Sequence, residues 1–189
     1  MKDQIAQRLR DLAETAVAAA EQLGPDVERA GTMVRDAIRG GGTLFFCGNG
    51  GSAADAQHLA TEYVVRYMKN RRALAAIAIT TDTSLITATA NDLSFDDIFS
   101  RQVEALMTAK DLLIIHSTSG NSPNVIKAAE AAKRKGARVL AFSSRDGGAL
   151  RGVADHSVIV PTTRTDRAQE VHLCIEHAIC EIVEQELTS

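Results

Sequence analysis

From residue 43 onward the chain alternates short, unbroken apolar runs with longer stretches of helical periodicity, and few architectures accept that pattern. The runs fall at 43–47, 75–79, 112–116, 139–142 and 157–160. A strand with one wet face would alternate apolar and polar residues. These runs are apolar almost throughout, as a strand must be when helices cover both faces of a parallel sheet. Helical patterns separate most of the runs, and a last one spans about 165–187. The prediction is an α/β fold: a three-layer, doubly wound, parallel five-stranded sheet. No repeat, low-complexity tract or linker interrupts it, so residues 1–189 are expected to form a single domain.

Two helices are predicted ahead of the first strand. Ile5, Leu9, Leu12 and Ala16 recur at helical spacing until Leu23-Gly24-Pro25 breaks the pattern. Val27, Met33, Val34, Ala37 and Ile38 continue a second helix as far as Gly40-Gly41-Gly42. This N-terminal helical hairpin (1–40) carries an alanine-rich face at 16–20, suited to packing on the parent domain or on another subunit in an oligomer.

Composition narrows the partners. Aromatic residues make up 4% of the chain, with no Trp, so Ala, Val, Ile and Leu must build the core and few rings remain to stack on bases. The net charge of −3 is spread without a basic patch, which argues against nucleic acid as a partner. No apolar stretch has the length of a membrane span, and no signal peptide precedes the charged N-terminus, so a soluble, cytoplasmic protein is expected. Cys47, Cys174 and Cys180 form no CxxC pair and are expected to be small buried residues in a reducing compartment.

In doubly wound folds ligands bind beyond the carboxyl ends of the strands, so the loops after the runs carry the chemistry. Ser117-Thr118-Ser119-Gly120-Asn121-Ser122 follows a strand and precedes a helix that Pro123 opens. Four hydroxyls and a glycine there meet the positive end of a helix, a setting that favours a phosphate dianion. An ordinary helix cap needs one such residue; here nearly every position is polar or small. Gly48-Asn49-Gly50-Gly51-Ser52 is neither G-x-G-x-x-G nor a Walker loop, which argues against a dinucleotide or nucleoside triphosphate. Its glycines allow close backbone approach to a ligand, although a plain tight turn explains the segment nearly as well.

His58 and Glu62 stand at i,i+4 on one helix face, where they can bind a divalent metal, supply an acid and a base, or simply contact each other in solvent. Asp166, Gln169, His172 and His177 lie in the last helical pattern. His172 and His177 do not share a face, and His172, like His156, is assigned a structural role. Gln169 and His177 differ by roughly 12 Å of helical rise. For both to hold one metal, they must lean together, or the helix must start after Gln169, or they must come from different subunits.

At these residues the chain resembles the sugar isomerase (SIS) domain family, most closely the members that act on seven-carbon sugar phosphates. The matching stretches run from Phe46 to His58, then include 78–82, Asn91-Asp92, 99–105, Ser117 to Ser122, 145–148, and Gln169 to His172 with His177. The serine loop is common to SIS domains; His58, Glu62, Gln169 and His177 are specific to the heptose enzymes. The resemblance implies an aldose–ketose isomerase that converts sedoheptulose 7-phosphate to D-glycero-D-manno-heptose 7-phosphate through an enediol, the first step of heptose synthesis for lipopolysaccharide or related glycans. It implies substrate contacts from Asn49, Gly50, Gly51, Glu62, Asn91, Asp92, Ser117, Thr118, Ser119, Ser122 and Gln169. It also implies Glu62 and His177 as the acid/base pair, and one zinc ion (Zn2+) per subunit on His58, Glu62, Gln169 and His177. A homotetramer with active sites at subunit interfaces is expected. His116 departs from the family, which favours an apolar residue before the serine loop. The competing readings are a non-catalytic SIS protein that binds the replication initiator and an isomerase of another phosphosugar.

Overall fold

The computed structural model describes residues 1–188. All five runs form strands: β1 (Leu44–Gly48), β2 (Ala76–Ala78), β3 (Leu112–His116), β4 (Arg138–Ser144) and β5 (His156–Val160). They pair in parallel throughout, in the order β2-β1-β3-β4-β5. Seven α-helices accompany them among the described residues: α1 (Lys2–Gln22), α2 (Gly24–Arg39), α3 (Gly51–Val64), α4 (Thr83–Asp92), α5 (Ser100–Leu106), α6 (Pro123–Arg134) and α7 (Thr165–Thr188). Between β4 and β5 the connection is a short 3₁₀ turn, Ala149–Gly152.

Two buried clusters explain the unbroken apolar runs. Successive strand residues point to opposite faces. Leu44, Phe46, Leu112, Ile114, Leu140 and Phe142 enter one cluster with residues of α1, α2, α3 and α7. Phe45, Cys47, Leu113, Ile115, Val139 and Ala141 enter the other, with α5 and α6. Each fully buried Leu, Ile or Phe contributes about 1.5–3 kcal/mol relative to exposure, so polar substitutions on either face are costly. On α6, Ala128, Ala129, Ala131 and Ala132 are completely buried, and their small size lets the helix lie close to the sheet.

The break at Leu23-Gly24-Pro25 leaves one residue between α1 and α2, and Leu23 is buried there. Ala19 is buried in the core and Leu12 and Ala16 pack against it, so the alanine-rich face meets this chain's own body. The same stripe continues to Ile5 and Leu9, which are 57% and 64% exposed. His156 donates or accepts through Nε2 with the Asp26 carbonyl at 2.8 Å; because a carbonyl only accepts, the ring donates, tying β5 to α2.

One expectation is corrected. Cys47 and Cys180 are buried, but Cys174 is exposed. Helical spacing sets it with Ala178, Glu181 and Gln185 on the outer face of α7, while Val171, Ile179 and Val183 face the core. Burial pushes the Cys180 thiol up to about 12 and the Cys47 thiol higher still, so neither is a nucleophile at neutral pH. Among the described residues no helix is long and apolar enough to cross a membrane.

Candidate functional site

The sheet order reverses between β1 and β3. From β1 the chain goes to β2 on one side, then returns to β3 on the other. The loops leaving these two neighbouring strands therefore face each other across the crevice where ligands of doubly wound folds bind. Asn49, after β1, and Asn124, in the first turn of α6, exchange two amide hydrogen bonds of 2.9 and 2.8 Å across it. Asn124 is buried, and nothing in the sequence pattern singled it out.

A cavity of about 140 Å³ lies at this point, lined by Asn49, Ser52, His116, Ser117, Thr118, Ser119, Ser122, Thr165 and Gln169. Three helices begin at its wall: α3 at Gly51, α6 at Pro123 and α7 at Thr165. Each start brings the positive end of a helix dipole to the cavity, so an anion is favoured without any basic side chain, although at α3 the Ser52 and Ala53 N–H groups already donate to the Asn49 and Gly50 carbonyls. Ser122 occupies the N-cap of α6, yet its side chain makes no capping hydrogen bond, which sets it apart from an ordinary serine cap. Thr165 was not foreseen, because only the fold brings the start of α7 beside the serine loop.

The serine loop is held rigidly from behind. Ser117 N–H donates to the Phe142 carbonyl at 2.9 Å, and the Ser144 hydroxyl donates to the Thr118 carbonyl at 2.8 Å. Gly120 has φ +64°, and a Cβ there would collide with the Gly147 carbonyl, so the loop lies directly on the turn after β4. In the opposing loop, a Cβ on Gly51 would stand 2.8 Å from Gln169 Nε2. Glycine here lets the Gln169 amide lie against the backbone, where it donates to Ser52 Oγ at 3.3 Å.

Beyond the cavity, α3 and α7 run side by side, with Ser52 meeting Gln169 and, two turns on, His58 meeting His177. His58, Glu62 and His177 place one donor atom each within 4.8 Å of one another. The two Nε2 atoms lie 2.8 Å apart, and His58 Nε2 is 3.5 Å from Glu62 Oε1. Two imidazoles and a carboxylate converging on one point form a donor set that suits zinc. The Tyr67 ring stacks on His177, with centroids 5.5 Å apart and an 18° interplanar angle.

The helix α7 begins at Thr165, so Gln169 lies within it, and the option of a later helix start falls away. Gln169 is engaged with Ser52 at the cavity, one level above the trio. Asn91 and Asp92 end α4, joined by an Asn91 Nδ2 to Asp92 Oδ1 hydrogen bond of 2.8 Å; they are exposed and do not line the cavity.

His116 is buried between Phe46 and Phe142, and its Nε2 lies 2.6 Å from Glu176 Oε2. Burial opposes charge on both partners. On His116 the Glu176 carboxylate, with help from Asp55, outweighs that cost and raises the ring above its usual value; on Glu176 the burial dominates and raises the carboxyl. His172 is wholly buried, donates to the Ser143 carbonyl at 2.9 Å, and is lowered to about 3, chiefly by burial. It is the neutral structural histidine that its spacing indicated.

The sheet order, the serine loop and the three helix starts define a sugar-phosphate-binding α/β protein, and comparison places it: a model of the SIS domain matches residues 7–144, and the chain belongs to that family. Within it, the chain groups with the phosphoheptose isomerases. It is 50% identical over 187 residues to the phosphoheptose isomerase of Geobacter sp. (strain M21), covering 99% of this chain and 97% of that one. The structure of phosphoheptose isomerase GmhA from Neisseria gonorrhoeae superposes with a TM-score of 0.92 at 40% identity, covering 97% and 98% of the two chains. A phosphoheptose isomerase structure from Francisella tularensis gives a TM-score of 0.93 at 33% identity, with 97% of each chain covered.

Proposed function

We propose that this protein isomerises sedoheptulose 7-phosphate to D-glycero-D-manno-heptose 7-phosphate, the entry step of heptose synthesis for surface glycans. The observation that carries this reading is a phosphate-sized cavity at three helix starts with a His–Glu–His trio farther along the same helix pair. One place anchors a dianion and the other holds proton-transfer groups, which is the layout a phosphorylated sugar chain requires.

In this reading Ser117, Thr118, Ser119 and Ser122 hold the phosphate, with Asn49, Gly50, Gly51 and Gln169 beside it. Asn91 and Asp92 contact the sugar chain beyond the cavity. Glu62 takes the carbon-bound proton and returns it to the neighbouring carbon, while His177 moves protons between the two substrate oxygens. His58, Glu62 and His177 would hold zinc, with Gln169 as a fourth donor once its side chain leaves Ser52. When bound, the ion supplies a Lewis acid that polarises the carbonyl and stabilises the enediolate.

We also propose a cytoplasmic homotetramer with sites at subunit interfaces. The exposed Ile5 and Leu9, in line with the buried stripe of α1, offer an apolar contact for another subunit. The decisive experiment is incubation with sedoheptulose 7-phosphate, with and without a chelator, followed by NMR of the products. Formation of the aldose, lost on chelation and restored by zinc, is expected; no aldose under any metal condition would overturn the assignment.

A further inference from the structure

Helix α3 ends just after Glu62, and its last carbonyls have no partners within the helix. Arg71, eight and nine residues further along, supplies partners for two of them, and the Leu74 N–H also donates to the Tyr63 carbonyl at 3.2 Å. Its Nη2 donates to the Glu62 carbonyl at 2.7 Å, and its Nη1 donates to the Tyr63 carbonyl at 2.9 Å and to the Arg72 carbonyl at 3.1 Å. A planar cation with several donors is well matched to neighbouring carbonyls at the negative end of a helix.

The same guanidinium faces Glu184 on α7. Arg71 Nε lies 3.0 Å from Glu184 Oε1 without the alignment of a hydrogen bond, so the contact is an ion pair; the two side chains are only 5% and 2% exposed. The Glu184 carboxylate in turn accepts from three successive backbone N–H groups, those of Tyr67 at 3.1 Å, Met68 at 2.7 Å and Lys69 at 2.8 Å. Burial opposes its charge, but these donors and Arg71 prevail and hold the carboxyl below its usual value. The segment so gripped carries Tyr67, whose ring lies on His177.

Thus one buried pair reaches both proton-transfer residues by separate routes: Arg71 through the backbone of Glu62, and Glu184 through Tyr67 to the ring of His177. The geometry points to Arg71 and Glu184 as a positioning pair that sets the orientation of Glu62 against His177. Their described contacts run to the backbone and to each other, while the trio's donor atoms meet among themselves. The inference rests on the proposed roles of Glu62 and His177. A pair serving stability alone has no need to grip the segment that covers one of these residues and the helix end that carries the other.

The test uses Glu184→Gln and Arg71→Lys, which keep size and part of the hydrogen bonding, alongside Tyr67→Ala. Each variant is measured for kcat and KM with sedoheptulose 7-phosphate, for Zn2+ affinity by calorimetry, and for the His177 ring protons in the metal-free protein by histidine-selective NMR. We expect kcat to fall about 10- to 100-fold with KM within about twofold, because orientation, not phosphate anchoring, is disturbed. We also expect weaker Zn2+ binding and loss of the ring-current shift that Tyr67 imposes on His177, in protein whose circular dichroism and oligomeric state match the wild type. Wild-type kcat, Zn2+ affinity and His177 shifts in folded Glu184→Gln and Arg71→Lys would overturn the proposal, as would a kcat loss that only follows the folded fraction. If the wild type itself lacks isomerase activity, the proposed function fails, while the Zn2+ and NMR readouts still decide whether this pair orders the trio.

Discussion

Glu62 carries two demands. As the proposed zinc ligand it would stay ionised and close to the metal; as the proposed base it would give up that contact to collect a proton. Its side chain is 19% exposed and 3.5 Å from His58 Nε2, a distance that leaves it room to move toward a substrate carbon. Glu62→Gln should reduce kcat by about 100- to 10,000-fold, the usual worth of a positioned general base, with an unchanged circular dichroism spectrum. A variant that turns over like the wild type would remove Glu62 from the chemistry. His172 supports a second prediction at this scale. An unfolded histidine binds its proton near 6.5, while this one binds it only near 3 in the folded chain. Between those values the unfolded state holds more protons, so stability falls as pH falls. His172→Gln keeps a donor for the Ser143 carbonyl but cannot titrate. Its melting temperature relative to wild type should therefore rise steadily as pH is lowered from 6.5 toward 4.

The serine loop owes its shape to its neighbours more than to its own residues. Its composition suits the phosphate proposed for it, but the turn after β4 that supports it, through Gly147 and Gly148, lies some 27 residues away in sequence. Gly120→Ala would force a left-handed conformation worth about 1–2 kcal/mol of strain, before the collision with the Gly147 carbonyl. At about 2–4 °C per kcal/mol for a chain of this size, melting should drop by several degrees, and KM for the phosphosugar should rise more than kcat falls. An unchanged KM would show that the loop can leave that turn without losing its ligand. The helix pair α3 and α7 makes the same point for the trio. The i,i+4 spacing of His58 and Glu62 was legible, whereas the approach of His177 required knowing that α7 lies beside α3. Cys174 went the other way: its helical segment was plain, but which side faced water depended on where the sheet lay.

At the scale of the whole molecule, metal and assembly can be tested separately. Zinc that binds only the folded protein raises its melting temperature by mass action, so a shift should appear with added zinc, vanish with chelator, and shrink strongly in His177→Ala. Charge placed on the outer end of α1, as in Ile5→Asp with Leu9→Asp, should leave the fold intact and shift sedimentation toward smaller species. A double variant that sediments like the wild type would show that this stripe is not an interface.

Five strands, the helices that cover them and the position of the serine loop between β3 and α6 were determined by the sequence itself. Apolar periodicity and turn chemistry are local properties: they record how each segment must be buried, whatever its neighbours are. The tertiary structure alone decided what depends on neighbours. It brought Thr165 to the cavity and Asn124 to Asn49 at its edge, set Gln169 against Gly51 and Ser52, buried His116 against Glu176, and joined Arg71, in the loop after α3, to Glu184 on α7. Such contacts link residues up to 117 positions apart, and their geometry is fixed by how helices pack on a sheet, which no short window of sequence encodes.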